Sequence, residues 1–143
     1  MKTIISIAIL MIFVLNTEAN KDQSNNNQVS EDSTITDQKI EVYYFHNTRR
    51  CATCQAVEDV TRSALKEFYP EMMNNKQIAF VSLNIEDETN ELLAEKFQVS
   101  GQSLLFVSEN ETVDLTNKAF MYARTNPNKL KKEIKATIDD LFE

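Results

Sequence analysis

Two cysteines are present in 143 residues, and they stand three apart as Cys51-Ala52-Thr53-Cys54. Such spacing lets the sulfurs close into a disulfide and reopen, with one sulfur as nucleophile and the other resolving the mixed disulfide. Arg49 and Arg50 immediately precede the pair. Two permanent positive charges near a thiol favour its thiolate, which is the reactive form. Cys51 is accordingly the expected nucleophile and Cys54 the resolving thiol. A purely structural disulfide is the blander reading, but a loop this short constrains little chain. Zinc generally needs four ligands, and beyond the two thiols the sequence offers one histidine, His46.

The elements flanking the motif determine what it can do. Upstream, Ile40, Val42, Tyr43, Tyr44 and Phe45 form a β-branched and aromatic run of the kind found in a strand buried on both faces. Downstream, Val57, Val60, Ala64, Leu65 and Phe68 recur at helical spacing until Pro70 interrupts them. The motif therefore opens a helix directly after a strand. Unpaired N–H groups and the positive end of the helix dipole then favour a thiolate at Cys51.

The remaining pattern extends the alternation. Ile78 to Leu83 predicts a second strand, and Asp87 to Phe97 a short helix with Leu92, Leu93 and Phe97 on its inner face. Leu104 to Val107 and Thr112 to Leu115 predict a hairpin about Glu109-Asn110. Asn126 as N-cap and Pro127 at the first helical position introduce a terminal helix, with Leu130, Ile134, Ile138 and Leu141 on one face. The expected fold class is α/β. A mixed four-stranded sheet, built as βαβ, then α, a ββ hairpin and α, carries helices on both faces.

The expected domain is 39–143, preceded by a polar linker over 20–38 that holds too little apolar surface to order itself. Residues 1–19 read as a signal peptide: Lys2, an apolar run from Ile4 to Leu15, and Thr17-Glu18-Ala19 as a small-x-small cleavage site. The run is too short to span a bilayer comfortably, so no stable membrane insertion is expected after cleavage, although an uncleaved amino-terminal anchor is the alternative. The expected location is the periplasm or cell envelope.

A formal charge of -7, with 22 acidic against 15 basic side chains, excludes a phosphate-gripping surface and hence nucleic acid. One glycine and two prolines leave no glycine-rich phosphate loop, so no nucleotide or other organic cofactor is expected. The expected partner is a protein dithiol or disulfide, met by a monomer or weak dimer.

The element order together with the CxxC resembles the thioredoxin superfamily. Within it, the segment from Val42 through Cys54 resembles a small bacterial group, the nitrophenyl compound nitroreductase subunit ArsF family. The resemblance runs from Ile40 to about Phe142. It implies delivery of electrons to a partner rather than nitro reduction by this chain, which shows no flavin or nicotinamide fingerprint.

By the same resemblance, Phe97 to Leu104 forms the loop facing the active site, with Gln102 and Ser103 as its candidate site residues. Ser103 stands where thioredoxins place a cis-proline. A non-proline cis bond costs about 3 kcal/mol, so a trans peptide and a wider opening above Cys51 are expected. No proline separates the cysteines, and Phe45 or His46 occupies the stretch where thioredoxins bury an aspartate. With the sulfurs unguarded, Cys51 and Cys54 could alternatively bind arsenite or share an iron–sulfur cluster between two chains.

Overall fold

Ile40–His46 forms the central strand, β1, and its alternation divides the core in two. In the computed structural model, which describes residues 38–143, Ile40, Val42 and Tyr44 point to one side of the sheet and Tyr43 and Phe45 to the other. All five are buried, as the β-branched and aromatic run predicts. The leader and nearly all of the polar linker lie outside the described residues.

β1 pairs in parallel with β2 (Ile78–Asn84), from Ile40 opposite Ile78 to His46 opposite Asn84. A parallel pair needs a crossover. Here it consists of α1 (Ala52–Phe68) and α2 (Pro70–Asn74), with Pro70 at the start of the second helix. On its other side β1 pairs antiparallel with β3 (Ser103–Val107), which pairs in turn with β4 (Thr112–Asp114). The strand order is β2-β1-β3-β4, a mixed four-stranded sheet.

The larger core lies between one face of the sheet and α1 and α5 (Pro127–Leu141). Leu130, Ile134, Ile138 and Leu141 are buried there, as their spacing predicts. Asn126 caps α5 by accepting the backbone N–H of Lys129 at 3.1 Å. The smaller core covers the opposite face, where α3 (Glu91–Lys96) brings Ala94, Leu93 and Phe97 against Tyr43, Phe45 and Leu105. Helices thus cover both faces. Among the described residues, no helix is long and apolar enough to cross a membrane.

Two elements differ from expectation. The single helix expected over 87–97 is a 3-10 turn at Glu88–Asn90 followed by the six residues of α3. So short a helix buries only a narrow stripe: Leu93, Ala94 and Phe97 take it, and Leu92, one residue round, is 80% exposed. The second is an unpredicted helix, α4 (Thr116–Tyr122). It begins where Asp114 Oδ1 accepts the Thr116 N–H at 2.8 Å and buries Ala119, with Ala123 just beyond. One buried alanine on a seven-residue helix, with a second just past its end, makes too faint a periodic signal to read.

Ile134→Ala is expected to destabilise the protein by about 2–5 kcal/mol, whereas Leu92→Ala should change stability by no more than about 0.5 kcal/mol. Urea unfolding followed by circular dichroism compares the two.

Candidate active site

Beyond His46 the chain leaves β1 through Asn47–Arg50 and enters α1 at Cys51, its N-cap. The Cys51 backbone is extended (φ -81°, ψ 166°), and its Sγ accepts the backbone N–H of Cys54 at 3.3 Å. A sulfur thus fills the role usually taken by a serine or aspartate oxygen. It lies at the positive end of a 17-residue helix, with no acidic side chain in the first turn to oppose a thiolate. Cys51 is exposed, while Cys54, one turn on, is only 1% exposed. The two form a disulfide, their Cα atoms 5.2 Å apart.

Beneath the motif lies a polar support. Tyr44, wholly buried in β1, donates its hydroxyl to the Cys54 carbonyl at 2.9 Å. Arg50 Nη2 donates to the same oxygen at 3.4 Å, and its guanidinium lies over the Tyr44 ring, 5.4 Å from the centroid. Arg50 also pairs with Glu58 at 2.5 Å, and Glu58 takes a second pair from Arg62 at 2.9 Å. Desolvation pushes the Glu58 carboxyl upward, but hydrogen bonds from Arg62 and Arg50 outweigh it and hold its pKa below the ordinary value. Burial raises the Tyr44 phenol, keeping it a neutral donor. Arg50 is therefore fastened between a carboxylate and the first turn of α1. Arg49 remains exposed.

The loop before β3 reaches the motif through one side chain. Gln102 Oε1 lies 3.0 Å from Cys54 Sγ. Ser103 opens β3 opposite Phe45, and its Oγ donates to the Gly101 carbonyl at 3.4 Å. The peptide before Ser103 is trans, as predicted. Next to Gln102 an open cleft of about 350 Å³ is lined by Asn47, Gln102, Thr116, Asn117 and Phe120, none of them charged. Phe45 is fully buried, in the smaller core on the sheet face opposite Tyr44. His46 is half-buried, with Nδ1 3.0 Å from the Asn47 carbonyl. Among the described residues, no three His, Cys, Asp or Glu side chains are grouped to hold a metal ion.

Sequence reasoning missed three parts of this site. The Tyr44 contact spans ten residues and has no local signature. Glu58 was visible only as an i,i+4 partner of Arg62. Thr116, Asn117 and Phe120 enter on α4, whose existence the pattern did not betray.

A sheet ordered β2-β1-β3-β4, with β1, β2 and β4 running one way and β3 the other, presents its CxxC where the first strand passes into the first helix. The fold is thioredoxin-like. No protein-family model matches the chain, and no curated protein matches its sequence. Among solved structures, the thioredoxin of Fasciola hepatica is similar at 19% identity and a TM-score of 0.44, over 68% of this chain and 80% of that one. Thioredoxin O2 from Arabidopsis thaliana, in its oxidized state, is similar at 17% identity and a TM-score of 0.45, over 68% and 74%. The fold statement rests on the strand order and directions of this chain.

Glu58→Gln is expected to lower the urea midpoint at neutral pH, because Arg50 and Arg62 lose their anionic partner. A carboxyl whose pKa is depressed in the folded state stabilises it above the unfolded value, ordinarily 4.5, and that contribution is lost as pH falls through the folded value. The gap between wild type and variant should therefore narrow on acidification below that point, as urea unfolding across a pH series would show.

Proposed function

We propose that this chain is an exported thiol–disulfide oxidoreductase or electron carrier acting through Cys51 and Cys54. The observation that carries the reading is the pairing of an exposed N-cap sulfur with a buried one at disulfide distance. In the reduced protein, the Cys51 thiolate attacks one sulfur of a partner's disulfide, and the other sulfur of that disulfide leaves as a thiolate. Cys54, once deprotonated, attacks Cys51 and expels the second partner sulfur. Two electrons pass to the partner, which is released as a dithiol, and the chain keeps the Cys51–Cys54 disulfide. The reverse sequence oxidises a partner.

Export is supported by the apolar run from Ile4 to Leu15 and the Thr17-Glu18-Ala19 site, and by the compartments in which disulfides persist. The chain would then work in the periplasm or cell envelope, as a monomer or weak dimer. A protein partner suits the uncharged cleft, which offers amide and hydroxyl groups for a polypeptide backbone and nothing to select a charged small molecule. The resemblance of Val42–Cys54 to the ArsF group favours electron delivery to a partner enzyme. In either direction Cys51 makes the first bond, with Arg49, Arg50 and the helix dipole supporting its thiolate.

Cys54→Ser should accumulate mixed disulfides between Cys51 and partner proteins, visible as bands that dithiothreitol removes. Cys51→Ser should show none. Absence of adducts in both variants, in cells grown without reductant, would overturn the redox reading.

A further inference from the structure

The two sulfurs face groups of opposite character. Cys51 Sγ meets a donor, the backbone N–H of Cys54 at 3.3 Å. Cys54 Sγ meets Oε1 of Gln102 at 3.0 Å, an amide oxygen that only accepts. A donor stabilises a thiolate, whereas an acceptor can bond only to the protonated thiol. The backbone that carries Gln102 is well fastened. Ser103 and Leu104 pair with Phe45 and Tyr44 of β1, and Leu104 donates its N–H to Thr116 Oγ1 at 2.9 Å.

The charged and titratable groups near Cys54 have partners of their own. From β1, Tyr44 directs its hydroxyl at the Cys54 carbonyl, and Phe45 is apolar. From the loop, Arg50 reaches the same carbonyl and is paired with Glu58 of α1, which is held in turn by Arg62. His46 turns Nδ1 to the Asn47 carbonyl, and α4 contributes the uncharged Thr116 and Asn117 to the neighbouring cleft.

Building on the redox reading above, we propose that Gln102 is the positioning residue of the resolving step, its side-chain carbonyl accepting the thiol proton of reduced Cys54. Cys54 then stays neutral while Cys51 reacts. In the mixed disulfide, Cys54 passes its proton to solvent at the cleft and its sulfur electron pair forms the bond to Cys51. The bond from Cys51 to the partner breaks, and the partner sulfur leaves with that electron pair and takes a proton from solvent. Resolution is thereby limited by loss of the Cys54 proton, and its rate rises with pH until the thiol has titrated.

The test uses the full chain. In a Cys51→Ser background the Cys54 thiol is titrated by its thiolate ultraviolet absorbance, with Gln102 intact and as Gln102→Ala and Gln102→Glu. In the two-cysteine protein, the rate of release from a preformed Cys51 mixed disulfide is followed against pH. Truncation to alanine removes the acceptor and admits solvent, so the Cys54 pKa should fall by about one unit. Release at neutral pH should then accelerate about three- to fourfold, because the tenfold gain in thiolate is partly offset by lower nucleophilicity. Glutamate places an anionic acceptor at the same point and should move both readouts the opposite way.

Shifts of opposite sign in variants that keep the wild-type circular dichroism support the proposal, since a merely structural role would slow both. An unchanged or raised pKa in Gln102→Ala overturns it and shows the amide N–H, or neither group, facing the sulfur. Failure of wild type to release any mixed disulfide would instead sink the redox reading itself.

Discussion

The buried hydroxyl of Tyr44 and the guanidinium of Arg50 converge on one acceptor, the carbonyl of Cys54. That oxygen belongs to the first turn of α1, so the two bonds fix how the helix start sits on the central strand. The position of Cys51 follows, because its sulfur caps the same turn. An N-cap interaction contributes about 1 kcal/mol when an oxygen accepts. Here the acceptor is also the proposed nucleophile, so the interaction that starts the helix would favour the reactive anion as well.

Around that junction the fold separates the two thiols by environment. Cys51 is exposed at the positive helix end, while Cys54 is enclosed and faces an amide oxygen. Two cysteines three residues apart would otherwise be chemically similar. Phe45 packs in the smaller core with Phe97, ring centroids 6.3 Å apart. Ser103, in place of proline, keeps a trans peptide and enters β3 directly.

How far the site could be read from sequence depended on the range of the interaction. The run from Ile40 to Phe45 declared a strand buried on both faces, because every position in it except Glu41 is apolar or aromatic. The start of α5 was equally legible, since Asn126 and Pro127 act within their own turn. Arg50 was legible only as a charge near a sulfur. The structure adds its Glu58 partner and its contact with Cys54, which depend on the helix already being folded. Leu92 misled for a related reason: a six-residue helix cannot present both adjacent leucines to one face. Short α4 stayed hidden although it supplies three residues of the cleft, since Ala119 is its one fully buried residue. The contact between Gln102 and Cys54 spans the sheet, and only the resemblance to thioredoxins indicated that those segments would meet.

The central claim is that helix geometry makes Cys51, and not Cys54, the reactive sulfur. It is tested most directly by alkylating the fully reduced protein with a sub-stoichiometric amount of iodoacetamide across a pH series and locating the label by peptide mass spectrometry. Label should accumulate on Cys51, with a rate midpoint below the ordinary cysteine value of about 8.5. Labelling of Cys54 first, or of both thiols equally with a midpoint at the ordinary value, would contradict the account.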